Sequence, residues 1–150
     1  MGRRDALEYG ATIVLIVVIL TMHTWLEALT GSNTPMAVVQ GRSMYPLFMT
    51  GDLVVLVKRK PESIHPGDIV VYRSKMGSYI IHRVVSVCRD GDTYYYRVWG
   101  DNNPVEDTSQ YDRILGSCIG VSYDRIVGVV WSPGGSAFKV PFLGLLSFNR

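Results

Sequence analysis

The sequence predicts a mainly β domain, a small coiled sheet or partly closed β-barrel, carried by one N-terminal transmembrane helix. Three observations point there: an uncharged apolar run near the N-terminus, short Val-, Ile- and Tyr-rich runs after Met36, and weak helix signals beyond residue 30. At 150 residues, 47% hydrophobic and 19% charged, the chain has room for one modest core and an appendage. Its formal net charge of +2 and fifteen scattered Lys and Arg residues argue against a nucleic-acid partner.

The first element is Ala11 to Met22, which carries no charge and no polar group beyond the hydroxyls of Thr12 and Thr21. A helix can bond those hydroxyls to its own carbonyls, and a soluble helix is rarely apolar on every side. Counted from Tyr9 to Trp25, the segment has aromatic residues at both ends and approaches the roughly 20 residues that span a bilayer. A cleavable signal peptide is the rival reading, because Arg3 and Arg4 precede the run. The absence of an Ala-x-Ala site before His23, Trp25 and Glu27 favours a retained anchor. With Arg3 and Arg4 on one flank and no Lys or Arg on the other until Arg42, the N-terminus is expected in the cytoplasm. Everything after about residue 26 then faces the extracytoplasmic side.

Residues 1–30 are thus read as a cytoplasmic stub and anchor, and 31–35, Gly-Ser-Asn-Thr-Pro, as a linker. A β-rich domain follows over 36–136. Strands are expected near Met36 to Gln40, Leu53 to Lys58, Asp68 to Arg73, Tyr79 to Val87, Thr93 to Trp99 and Arg125 to Trp131. Pro61 to Asp68 is a loop, since two prolines and a glycine exclude regular pairing. Residues 137–150 are apolar again but too brief to span a bilayer, and are expected to rest on the membrane or cover the core. Cys88 and Cys118 lack the paired spacing of a zinc or redox site. They are expected as ordinary core thiols, with a disulfide the minority reading.

Three pieces carry candidate chemistry. Ser43 lies in Gly41-Arg42-Ser43-Met44-Tyr45-Pro46, at a strand end where the backbone turns and a hydroxyl can be exposed. His82 lies in Ile80-Ile81-His82-Arg83-Val84-Val85, a strand in which it is the side chain suited to proton transfer near neutral pH. Asp101 and Asp107 bracket a polar loop, Trp99-Gly100-Asp101-Asn102-Asn103-Pro104-Val105-Glu106-Asp107. Each piece alone has an ordinary structural reading: a solvated serine, a core histidine, a turn. Lys75 is a substitute base to weigh, but Arg73 to Ser78 reads as a solvated turn, and His23 and His65 read as structural or surface residues.

Taken in order, the pieces resemble the signal peptidase I family, in its archaeal and endoplasmic-reticulum branch, across most of residues 36 to 131. Gly41-Arg42-Ser43-Met44-Tyr45-Pro46 followed by Gly51-Asp52 is similar to the nucleophile box. Gly67-Asp68-Ile69-Val70-Val71 leads to His82-Arg83-Val84, where the bacterial branch has lysine in place of His82. Gly100-Asp101-Asn102-Asn103 with Asp107 is similar to the third box. The resemblance implies a Ser-His-Asp endopeptidase that removes signal peptides from exported preproteins through an acyl-enzyme. Ser43 would be the nucleophile, His82 the general base, Asp107 the orienting acid and Asp101 a supporting residue. The backbone N–H of Ser43 would serve the oxyanion, while Gly41 stands where many relatives have a helpful serine and leaves a second donor unidentified.

The resemblance also implies substrate held as an extended segment against strand edges near Met36 to Gln40 and Ser78 to Ile81. Met44, Gly41, Gln40 and Ile81 would contact it, Met44 as a pocket wall. No cofactor or metal is expected. Expected partners are signal-peptide-bearing preproteins, the lipid bilayer, and translocation machinery or accessory subunits. The expected location is the cell or endoplasmic-reticulum membrane, as a single-pass protein. Two alternatives remain: a catalytically silent, membrane-anchored β-domain that binds partners or exported chains, and a self-cleaving repressor-like serine protease. The anchor and His82 argue against the latter, which is cytosolic and uses lysine.

Overall fold

The computed structural model describes residues 3–116 and 118–143. The side chains of Arg3, Arg4 and His23, and residues 144–150, lie outside the described residues, as do the expectations that rest on them. A helix, α1 (Arg3–Thr30), precedes eight strands: β1 (Met36–Val38), β2 (Leu53–Val57), β3 (Ile69–Arg73), β4 (Tyr79–Asp90), β5 (Thr93–Trp99), β6 (Val121–Ser122), β7 (Ile126–Val130) and β8 (Lys139–Val140).

Helix α1 exposes its apolar side chains on every side, from Ile13 at 61% to Leu20 at 74%. Thr12 and Thr21 each donate a 2.8 Å hydrogen bond to the carbonyl four residues back, so no backbone or hydroxyl group in the run calls for water. No single helix among the described residues is long and apolar enough to cross a membrane. Glu8–Met22 and Thr24–Thr30 pass that test only together, as a pair bent by 47°. The helix meets the domain through its last turn, where Lys58 N–H bonds the Thr30 carbonyl at 2.9 Å.

The strands pair antiparallel in the order β1-β2-β7-β3-β4-β5-β6, with β8 also on β2, and the sheet does not close into a barrel. Strand β3 lies centrally, and four of its five residues are buried. That burial follows from its alternation between two cores. Val70 and Tyr72 point to one core with Val84, Tyr96, Val98 and Val129. Ile69 and Val71 point to the other with Met44, Phe48, Val54, Leu56 and Val130.

The six expected strands are present, with ends that differ by up to three residues. Strand β4 runs on to Asp90 because it pairs with β5 through Asp90↔Thr93 after a bulge near Val85. Strands β6 and β8 carry two residues each, too few for an alternation to register, and were not expected from the sequence. Cys88 and Cys118 correct the expectation of free thiols: they form a disulfide, with Cα atoms 5.4 Å apart, that ties β4 to the segment before β6. Burial of a small thiol and its oxidation are indistinguishable in sequence, whereas the fold brings the two Cα atoms into bridging range.

Candidate active site

The Ser43 loop is built by Gly41, whose φ of +96° makes a turn that L side chains seldom adopt, and by Thr50, whose hydroxyl bonds both the N–H and the carbonyl of Gly41 at 3.0 Å. Asp52 supports the loop from below. Its carboxylate accepts the N–H of Met49 at 3.0 Å and Lys139 Nζ at 2.8 Å, and Lys139 also reaches the Leu47 carbonyl at 2.7 Å. Burial alone would raise the Asp52 carboxyl, but the Lys139 and backbone bonds outweigh it and hold the group below its ordinary value. Ser43 thus sits on a turn fixed from beneath by a buried ion pair.

His82 is placed by strand register. It lies opposite Val70, on the face of β4 that also carries Val84, and is 4% exposed. Its Nδ1 bonds Asp107 Oδ2, in the segment that follows β5. The backbone N–H of Asp107 reaches the Val98 carbonyl at 3.4 Å, which keeps this segment beside the sheet. The other imidazole nitrogen faces Gly100. A Cβ built on Gly100 would lie 2.8 Å from His82 Nε2 and 2.8 Å from the Ser43 carbonyl oxygen. His82 Nε2 and the Ser43 backbone therefore flank one bare glycine.

The loop after β5 also grips the Ser43 segment directly. Asn102 donates its backbone N–H to the Ser43 carbonyl at 2.7 Å and its side-chain amide to the Arg42 carbonyl at 3.1 Å. Among the described residues, neither the Ser43 hydroxyl nor its backbone N–H has a hydrogen-bond partner. Both remain available to a bound molecule.

Asp101 points elsewhere. It receives Arg83 Nε at 2.8 Å and Nη2 at 2.7 Å, while Arg83 Nη1 reaches the Gly67 carbonyl at 2.9 Å. The Asp101 bond raises the already high pKa of Arg83. The pair ties the loop to β4 and to the Gly67 turn. Lys75 Nζ donates to the carbonyls of Ser109 and Tyr111 at 3.1 and 2.7 Å, a structural tether away from Ser43.

A cavity of about 430 Å³ contains Ser43 and is walled by β1 with Gln40 on one side and by Ser78 to Ile81 on the other. Gln40 and Ile81 line it. Gly41 instead borders a neighbouring cavity of about 670 Å³, with Tyr45, Met49, Asn102 and Phe142. Met44, expected as a pocket wall, is 1% exposed and packs in the core beneath the loop. Among the described residues no group of three or more His, Cys, Asp or Glu side chains could hold a metal ion.

Sequence reasoning gave Tyr72 no part in this site and quoted Gly100 and Asn102 only as members of the third box, without a contact. The Tyr72 hydroxyl donates to Asp107 Oδ2 at 2.6 Å, and its ring centre is 6.4 Å from that of His82. Pairing β3 with β4 by alternation would have found it, because Tyr72 is the diagonal neighbour of His82 once Val70 is set opposite.

The Peptidase S24-like family matches residues 10–103, more than half of the chain. The chain is 30% identical over 141 residues to the signal peptidase complex catalytic subunit SEC11 of Plasmodium falciparum, covering 86% of this chain and 74% of that protein. It is 35% identical over 139 residues to SEC11 of Metarhizium robertsii, covering 85% and 80%. Against SEC11C of Homo sapiens the identity is 35% over 115 residues, and the match spans 59% of the human protein's length. With the family match and these relatives together, the chain belongs to the signal peptidase I family, in its endoplasmic-reticulum-type branch, and is a serine peptidase.

Proposed function

We propose that the chain removes N-terminal signal peptides from exported preproteins, with Ser43 as nucleophile, His82 as general base and Asp107 as its orienting acid. The observation that carries this reading is the bond of His82 Nδ1 to Asp107, which leaves Nε2 as the nitrogen turned toward Gly100 and the Ser43 backbone. Ser43 Oγ attacks the scissile carbonyl and passes its proton to His82 Nε2. The imidazolium so formed is stabilised by Asp107, then protonates the departing amine. A water deprotonated by His82 hydrolyses the acyl-enzyme and frees Ser43. The unpaired Ser43 N–H is a donor for the oxyanion.

The substrate is an extended peptide. Among the described residues β1 pairs only with β2, and β4 meets β5 only from Arg83 onward, so Tyr79 to His82 have a free edge. Both edges border the cavity that holds Ser43. A peptide inserted there completes the ladder on both sides, with Gln40 and Ile81 beside its side chains. The resemblance implies small side chains before the cut, and the cavity they would enter is lined by aliphatic residues that include Ala37, Val38, Val54, Val71 and Ile80.

Membrane attachment belongs to the same reading. The apolar girth of α1 needs a nonpolar environment on all sides, which a bilayer supplies; an anchored enzyme also meets membrane-bound preproteins at raised effective concentration. A disulfide in the domain accords with an extracytoplasmic location. The SEC11 relatives are named as subunits of a complex, and accessory subunits are proposed here on that ground. The test is to incubate the full chain in liposomes with a signal-peptide-bearing preprotein and sequence the new N-terminus. Cleavage at the end of the signal peptide is expected; no cleavage, or cuts scattered through the mature region, would overturn the assignment.

A further inference from the structure

Resting on that reading of the site, we propose that Tyr72 is a positioning residue of the active site, its hydroxyl fixing Asp107 so that the carboxylate holds His82 in the reactive tautomer.

Tyr72 is fully buried, in the core cluster that also holds Val70, Val84 and Val98. Its hydroxyl reaches Asp107 Oδ2 at 2.6 Å, the oxygen that also meets His82 Nδ1. One carboxylate oxygen is thus shared by a phenol and an imidazole. Burial, reinforced by the adjacent carboxylate, pushes the phenol far above its ordinary pKa. Tyr72 therefore stays protonated and can only donate to Asp107. Strand β3 is central and β-paired on both sides, whereas Asp107 lies in an irregular segment. The phenol transfers the rigidity of the sheet to that segment.

Two consequences follow for catalysis. The phenol orients the carboxylate, and it takes up part of its negative charge, which moderates the pull of Asp107 on an imidazolium. The other charged and titratable groups nearby are engaged elsewhere. The Arg125 guanidinium stands 5.9 Å from the centre of the Tyr72 ring and pairs with Asp112. Tyr111 and Arg97 bond Glu106, and Asp101 bonds Arg83. Among the described residues the side-chain partners of Asp107 are His82 and Tyr72.

Tyr72→Phe keeps the ring and removes only this bond. In the full chain, kcat is expected to fall about tenfold with KM unchanged, the size of effect of one lost bond to a charged group. An unchanged kcat would overturn the proposal, as would a rise in KM with kcat preserved. Ser43→Ala, run in parallel, separates the two claims: if it still cleaves, the nucleophile assignment itself fails. A measurement on the unaltered protein needs no variant to fold. With tyrosine labelled at the ζ carbon, the Tyr72 hydroxyl proton is expected as a resolved downfield resonance protected from exchange, the signature of a buried hydroxyl donating to a carboxylate. A Tyr72 hydroxyl in fast exchange with water would contradict the proposal.

Discussion

The backbone N–H of Asn102 donates a 2.7 Å hydrogen bond to the carbonyl of Ser43, so the loop after β5 is fastened directly to the residue proposed as nucleophile. The approach is this close because Gly100 has no side chain. Gly100→Ala would place a methyl group 2.8 Å from His82 Nε2 and from the Ser43 carbonyl, and the latter is backbone that cannot swing away. Displacement of these proposed catalytic groups by a fraction of an ångström to an ångström is expected to lower kcat/KM about 100-fold. Steady-state kinetics on the folded variant check this, and near-normal activity would show that the loop does not set the geometry.

The two aspartates of the loop are expected to differ sharply. Asp107→Asn leaves the fold intact but mispairs the His82 tautomer, and is expected to lower kcat by about 10⁴-fold, as the loss of an orienting carboxylate does in other triads. Asp101→Asn weakens a partly exposed pair with Arg83, and is expected to reduce stability by only about 0.5–1 kcal/mol. Parallel turnover and urea-unfolding measurements separate the roles; equal losses of kcat would merge them.

Lys139 has a specific structural duty. Its removal in Lys139→Met strands the buried Asp52 carboxylate, and is expected to destabilise the domain by about 3 kcal/mol. The pH dependence carries a sign. Asp52 is held below its ordinary value in the folded protein, so its contribution is complete above the unfolded value of about 4 and is lost as pH falls. Lys139→Met removes the charged lowering partner and leaves burial opposed only by the Met49 and Phe142 N–H groups, so this loss on acidification is expected to shrink. Urea titrations from neutral to acid pH measure both effects.

The Cys88–Cys118 bridge closes a loop with a sequence separation of 30. Chain-entropy arithmetic gives a stabilisation of about 3 to 4 kcal/mol for a loop of that length. The double variant Cys88→Ser/Cys118→Ser, or reduction with dithiothreitol, is expected to lower the unfolding midpoint visibly. An unmoved midpoint would mean that the bridge contributes little.

Much of this was legible in the sequence because it depends on local pattern. Val-, Ile- and Tyr-rich runs marked β3, β4 and β5, Gly and Pro marked the turns between them, and the three boxes named Ser43, His82 and the loop to Asp107. What was not legible depends on pairing across the sheet. Tyr72 read as one more strand aromatic until β3 was set against β4, and Met44 read as a pocket wall until the loop folded it into the core. The disulfide likewise needed the course of the chain before β6, and β8 needed Lys139 to meet Asp52, 87 residues earlier. The resemblance preferred Asp107 to Asp101 as the orienting acid; what the sequence does not show is the bidentate bond from Arg83 that engages Asp101.

The central claim is that the Ser43 hydroxyl is the nucleophile. The most direct measurement is the rate at which Ser43→Ala, verified as folded, releases the mature N-terminus of a preprotein relative to the unaltered chain. The account predicts a loss of at least about 10⁴-fold, the scale seen when a triad serine is removed. Cleavage at the same site and within about tenfold of the unaltered rate, by a protein with no hydroxyl at position 43, would contradict it.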